Sequence, residues 1–248
     1  MSSQRQDSDL QLSPLDCDRF QLRIGRAEQV APGSVETLLL GAAELDLDLV
    51  IARCPAGDLL TAADLADAGF RFLDADIHFA GPAADIAAGG LPSPPVSLRP
   101  ATPADFEAVL AIATEAFSGH PNHYRADPRL DREGVDAIYP DWARRCVSGE
   151  ATDLTLVAEI GSRVAGFSSF RLNSEEEAQL LLGAVAGWAS GRRIYSLLTI
   201  AGARWAAGQG RSRLLCVTQL GNVAAQRSWV LAGLQPVAGV FTFHLWRR

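Results

Sequence analysis

Val50–Phe79 aligns without a gap on Leu214–Phe243, and the two stretches read in the same order. Each has a strand, a turn (Gly57-Asp58 and Gly221-Asn222), a helix, an Ala-Gly stop (Ala68-Gly69 and Ala232-Gly233) and a second strand. An apolar strand that leads into a helix and out to another strand buries its faces in a layered α/β plan. The echo suggests that the N-terminal half is a partial copy of the second half, extending or flanking its sheet. Few of the aligned positions are identical, and strand–helix–strand units look alike in general. The echo therefore bears on architecture and leaves the chemistry open.

Gly89-Gly-Leu-Pro-Ser-Pro-Pro95 is stiff and poor in hydrogen-bond donors, and reads as a linker between residues 1–90 and 96–248. The second part opens with a short strand, Val96-Ser-Leu98, then Thr102 as an N-cap, Pro103 at the first helical position and Asp105 at the positive helix end. Phe106, Val109, Leu110, Ile112 and Ala113 place a helix next. Leu154–Ile160 and Val164–Arg171 flank Gly161-Ser-Arg163 as a hairpin, and Gln179–Val185 follows as a strand. A helix carrying Ile194, Leu197, Leu198, Ala201 and Trp205 comes next. Then come a strand over Arg213–Gln219, a helix over Asn222–Ala232 closed by Gly233, and a strand over Val237–Trp246.

The net charge of −7 argues against non-specific binding to nucleic acid or to a membrane surface, both of which need a basic patch. Lysine is absent, which excludes a Schiff-base lysine and a lysine-bearing phosphate loop. The first residues lack the apolar core of a leader, and no later segment is long and apolar enough to span a membrane. Cys17, Cys54, Cys146 and Cys216 are scattered and read as reduced residues of a cytoplasmic protein. Asp74-Ala-Asp76 and Glu175-Glu-Glu177 read as solvated acidic segments.

Chemistry-bearing residues gather in a few places. Ser190-Gly-Arg-Arg-Ile-Tyr195 opens a helix where a phosphate-cradling turn would stand, and Arg192 and Arg193 can meet an anion through side chains. The alternative is an ordinary helix start with solvated arginines. His120-Pro-Asn-His123-Tyr-Arg-Ala-Asp127 is a polar stretch between helices, either an acceptor-binding segment or a helix cap and surface turn. Its spacing has little specificity for a metal, and none is expected. Glu159 ends an apolar strand, facing a cleft or solvent. Gln219 and Asn222 flank the Arg213–Gln219 strand, with Asn222 able to cap its helix. Trp229 lies on the apolar face of that helix.

From Leu98 onward the chain resembles the GNAT N-acetyltransferase superfamily. Leu98-Arg-Pro-Ala-Thr-Pro-Ala-Asp105 is similar to its first strand and helix, and Thr218-Gln-Leu-Gly-Asn222 with Ala224-Ala225 and Ala232-Gly233-Leu234 to its late strand–helix unit. The dTDP-fucosamine acetyltransferase type is the nearest resemblance, through Thr218–Ala225, His123–Arg132, Asp141-Trp-Ala-Arg144 and the appended N-terminal region. The resemblance implies a GNAT fold, a mixed twisted sheet flanked by helices, with an N-terminal partial GNAT-like domain over 1–90. It also implies acetyl-CoA or another acyl-CoA bound between the splayed strands Gln179–Val185 and Arg213–Gln219, with no metal. Leu182, Ala184, Val185, Ser190, Gly191, Arg192, Arg193, Tyr195, Gln219, Asn222 and Trp229 are then the cofactor contacts. Glu159, His123 and Asn222 take the catalytic roles, and His120, His123, Tyr124 and Arg125 meet the acceptor, the amine of an amino sugar or similar small metabolite.

Two places depart from the pattern. The superfamily loop reads approximately Arg/Gln-x-x-Gly-x-Gly/Ala, and here Ser190, Arg193 and Tyr195 stand at its marked positions. Trp229 stands where the family often has a tyrosine acid, and an indole N–H cannot release a proton near neutral pH. These departures keep two other readings open: the fold reused for a biosynthetic reaction that needs no acyl-CoA, or a non-catalytic binding protein. Expected partners are a small-molecule substrate and, as an open possibility, a second copy in a homodimer.

Overall fold

The structure, a computed structural model, describes residues 10–90 and 95–247; the core of the expected linker, 91–94, lies outside the described residues. In chain order the first elements are β1 (Leu10–Leu12), α1 (Pro14–Phe20), β2 (Ile24–Ala27), α2 (Val35–Glu44), β3 (Leu49–Pro55), α3 (Leu59–Asp67), β4 (Arg71–Pro82) and α4 (Ala83–Ala87). Then come β5 (Val96–Pro100), α5 (Phe106–Phe117), α6 (His123–Ala126), α7 (Arg132–Val147), β6 (Leu154–Ile160), β7 (Arg163–Leu172) and β8 (Glu177–Val185). The last are α8 (Ile194–Gly208), β9 (Arg213–Gln219), α9 (Val223–Leu231) and β10 (Gln235–Trp246).

The echo is carried into three dimensions residue for residue. Under the same gap-free alignment β3, α3 and β4 coincide with β9, α9 and β10 at every boundary. The reason is local. Asp58 and Asn222 each cap a helix by accepting from the N–H three residues on, at Thr61 and Ala225. Gly69 (φ +89°) and Gly233 (φ +98°) each end one in the left-handed region that glycine enters without strain.

The chain divides into two compact units. Unit 1 gathers residues up to 77, 121–135 and 238 onward; unit 2 gathers 78–120 and 136–237. Unit 1 contains strands in the order β1-β2-β3-β10 followed by the first part of β4. β2 and β3 run parallel, and β3 and β10 antiparallel over Pro55–Val240 to Leu49–Trp246. Unit 2 contains the end of β4, then β9-β8-β7-β6-β5, with β8 and β9 parallel and β5 to β8 antiparallel. In unit 1, β3 thus lies beside the strand that closes the second copy in sequence. In unit 2, β9 lies beside the strand that closes the first.

One face of the unit 1 strands is apolar. Ala27, Val50, Ala52, Cys54 and Phe243 pack with Val35, Leu38 and Ala42 of α2 and Leu65 of α3. The unit 2 core joins Val109, Ile112 and Ala113 of α5 to Val157, Phe167, Leu182 and Ala184. Ahead of α5 the expected N-cap signal opens a short 3₁₀ turn, Pro103–Asp105, with Thr102 N–H donating to Asp105 at 2.7 Å. The cysteines are free, and burial pushes the Cys54 and Cys146 thiols up to about 11, so neither is a ready nucleophile. Among the described residues no helix is long and apolar enough to cross a membrane.

Candidate functional site

In unit 2, β8 and β9 are paired from Glu177–Arg213 to Leu180–Cys216, where the pairs end. β8 remains paired with β7 as far as Val185–Gly166. The strands therefore part beyond Leu180, leaving the β9-side main chain of β8 open over its last residues. Leu182 and Ala184 turn their side chains into the α5 core and Val185 is half-buried, so what the first two offer a ligand is main chain.

After β8 a 3₁₀ turn, Gly187–Ala189, leads to Ser190, Gly191, Arg192 and Arg193, all exposed. Gly191 has φ +78° and Arg193, the residue before α8, φ +59° and ψ +17°. Arg193 thus keeps the left-handed turn that a glycine would favour, against a cost of about 1–2 kcal/mol for an L side chain. α8 begins without a side-chain cap, which leaves its first N–H groups facing outward at the positive end of a 15-residue helix.

Tyr195, one residue into α8, leans over the strands. A Cβ added to Gly183 would lie 2.7 Å from Tyr195 Cε2, so the missing side chain of Gly183 is what admits the ring. The Trp229 ring is 6.2 Å from it, and Phe79 stands 5.7 Å beyond on the other side. Trp229 is 1% exposed. Burial, with the neighbouring Cys216, drives the Tyr195 phenol far above its ordinary range and keeps it neutral. Ser168 Oγ, beside Gly183, is buried without a hydrogen-bond partner. The α8 end of the cleft thus offers main-chain N–H groups and two exposed arginines, and the Tyr195 ring narrows the space beside Gly183.

The remaining expected residues separate. His120 Nε2 meets Gln219 Oε1 at 2.9 Å, with Phe117 and Tyr139 edge-on to the imidazole. Asn222 is engaged as a cap and donates to Thr218 Oγ1 at 2.9 Å. Glu159 is held by Arg99 at 2.6 Å in β6, two strands from β8, and Arg99 also grips Asp105 at 2.7 Å. That guanidinium holds the Asp105 carboxyl far below its usual range. The structure brings His120 and Gln219 together and leaves Glu159 in an ion-pair cluster.

His123, Tyr124 and Arg125 belong to unit 1, and here two sequence readings are corrected. The His120–Asp127 stretch is no surface turn: Asn122 caps α6, but His123 (5% exposed), Tyr124 and Asp127 are buried. Asp74 and Asp76 are not solvated either; both are half-buried on β4, and burial together with Asp76 raises the Asp74 carboxyl to about 6. The cross-strand pairs put Arg26, Arg53, Thr242, His244 and Trp246 on the face opposite the apolar core. On that face His123 Nδ1 lies 2.9 Å from His244 Nε2, and His244 Nδ1 lies 2.8 Å from Asp127 Oδ2. Trp246 Nε1 donates to the same oxygen at 2.8 Å. Tyr124 donates to Asp16 at 2.8 Å and packs against His123 with its ring tilted, and Arg26 bonds both Asp16 and Tyr124. Sequence reasoning missed His244, Trp246, Asp16 and Arg26. The available signal was alternation: Thr242, His244 and Trp246 are polar-capable residues at a two-residue period in a strand otherwise apolar.

Comparison with known proteins gives one relative in the curated set and many structures. No family model matches the chain. It is 29% identical over 149 residues to the spore coat polysaccharide biosynthesis protein SpsD of Bacillus subtilis (strain 168), covering 60% of this chain and 50% of the relative's length. It thus spans half of that protein. Among solved structures it resembles a tandem GNAT protein from the clavulanic acid biosynthesis pathway, at TM-score 0.62 and 15% identity over 90% of this chain and 75% of that one. It also resembles a GCN5-related N-acetyltransferase from Kribbella flavida, at TM-score 0.61 and 15% identity over 90% and 80%. With mixed strands, flanking helices and a parallel pair that parts midway, this chain has the GNAT fold.

Proposed function

We propose that the chain is a GNAT-type acyltransferase, moving an acyl group from acyl-CoA to the amine of an amino sugar or similar small metabolite. The observation that carries this is the parting of β8 and β9 beyond Leu180–Cys216, beside the uncapped start of α8. Acyl-CoA, when bound, supplies the acyl group as a thioester. The N–H groups around Gly191 to Ser196 would hold the pyrophosphate, with Arg192 and Arg193 adding charge from the side. The open main chain of Leu182, Ala184 and Val185 and the side chain of Gln219 would meet the amides of the pantetheine arm. Ser168 Oγ is a buried polar atom free to take a hydrogen bond there. Trp229 can donate but cannot protonate a departing thiolate, so that proton would come from elsewhere. The similarity to a polysaccharide biosynthesis protein supports the amino-sugar side of this reading. The free cysteines accord with a cytoplasmic setting, which is part of the proposal.

A second reading, the fold used without acyl-CoA, is favoured by one observation: the Tyr195 ring lies on Gly183, in the space that Gly183 leaves. The two readings part in one experiment. On the first, acetyl-CoA at millimolar concentration raises the melting temperature and gives a saturable isotherm, and Arg192→Ala and Arg193→Ala each weaken it. Neither shift nor isotherm sinks the acyl-CoA reading and leaves the second.

A further inference from the structure

The buried network of unit 1 has a direction. Ionised Asp127 can only accept, so the hydrogen on His244 must sit on Nδ1, which faces it at 2.8 Å. In the neutral His244 ring Nε2 is then a bare lone pair, and the 2.9 Å contact has His123 carry its hydrogen on Nδ1. The His123 ring is neutral in this arrangement, since burial and the neighbouring His244 hold its imidazole well below its usual range. The relay therefore leaves His123 Nε2 as an obligate acceptor.

Unspent polar atoms belong to residues in its neighbourhood. Asp74 lies beside the main chain of His123 and accepts from Ala75 N–H on Oδ1 at 2.8 Å, while its Oδ2 has no partner. Thr242 Oγ1, 0% exposed and two residues before His244 on the same face, has none either. Arg53 lies opposite Thr242 in the β3–β10 pair and close enough to His123 and Asp74 to act on both; its Nε is buried without a partner. Its NH1 is fixed by Glu28 at 2.8 Å. Glu28 and Arg26 in turn line a cleft of about 250 Å³ with Ser13. Buried polar groups are almost always bonded, so several orphans in one neighbourhood are unusual.

We propose that unit 1 carries a ligand site of its own, in which His123 Nε2, Asp74, Thr242 and Arg53 take a small hydroxylated amine. Two acceptors, one of them a carboxylate, call for an ammonium or amine donor. The Arg53 Nε–H calls for an oxygen acceptor on the same ligand, and the Thr242 hydroxyl can serve either part. All of these residues belong to unit 1, so the site stands whether or not the chain binds acyl-CoA. Asp127, His244 and Trp246 are positioning residues that act through His123.

The test is nitrogen NMR on the full-length protein labelled at histidine, with D-glucosamine and its amine-free counterpart D-glucose as probes. Before any probe is added, His123 and His244 should both show the Nδ1–H tautomer, and His123 should stay neutral at pH 6. Glucosamine should then shift His123 Nε2 saturably, at least fivefold more tightly than glucose, and Asp74→Asn should remove that preference. His123 found with its hydrogen on Nε2 overturns the proposal, without need of any variant. So does an equal response to the two sugars, or no response to either.

Discussion

At the scale of single residues, two side chains hold positions that their chemistry resists. Arg193 adopts φ +59° where glycine would be at ease, so Arg193→Gly should stabilise the folded chain by about 1 kcal/mol in denaturant titrations. The same change should weaken any anion bound at α8, and a loss of stability instead would mean that the side chain holds the loop. Asp74 offers a cleaner test. Its carboxyl is raised to about 6 in the fold, first by burial and then by Asp76. The folded state then binds the proton more tightly than the unfolded chain, so stability declines as pH rises from about 4 through about 6. Asp74→Asn should be close to neutral at pH 4 and stabilising by about 2 kcal/mol at pH 8. A pH-independent effect would show that Asp74 does not titrate in this way. Arg193 was legible as a bulky residue at a small-residue position of the loop, whereas Asp74 could not be read from local sequence. Asp74-Ala-Asp76 looks like any acidic pair until β4 and α6 close over it.

At the scale of elements, the echo makes matched experiments possible. Asp58→Ala and Asn222→Ala remove the same cap from α3 and α9, and each should cost about 1 kcal/mol in thermal or chemical unfolding. The Asn222 result also bears on function, because a cap that costs stability but leaves activity intact removes Asn222 from the catalytic list. α8 supplies a second contrast. Alanine normally improves a helix over glycine by about 1 kcal/mol, yet a Cβ at Gly202 would run into the Phe170 ring of β7. Gly202→Ala should therefore destabilise, by about 1–3 kcal/mol, as an overpacked core does. These elements were legible because their signals are local. Leu154–Ile160 and Arg213–Gln219 are strands with the bounds their apolar runs suggest, and Asn222 and Gly233 bracket α9 as caps do.

At the scale of the whole molecule, chain order and compact units differ. Unit 1 takes residues 121–135 and 238 onward from the far side of the linker, and β3 is paired with β10 along its whole length. Fragments 1–90 and 96–248, made separately, should each lack a partner strand and fail to melt cooperatively; mixed, they should recover the transition. Circular dichroism melting with size-exclusion chromatography reads both. A cooperative melt by the 1–90 fragment alone would show that β10 is dispensable to it.

Sequence alone determined the layered α/β plan, the bounds of β6 and β9 and the place of the loop before α8, because caps, turns and periodicity act over a few residues. The tertiary structure decided what lies beside what. It set Tyr195 on Gly183, tied Glu159 to Arg99, and joined Asp127 to His244 across more than a hundred residues. Such contacts arise from strand order and register, and a slip of one residue would turn His244 to the apolar face. No local pattern encodes them.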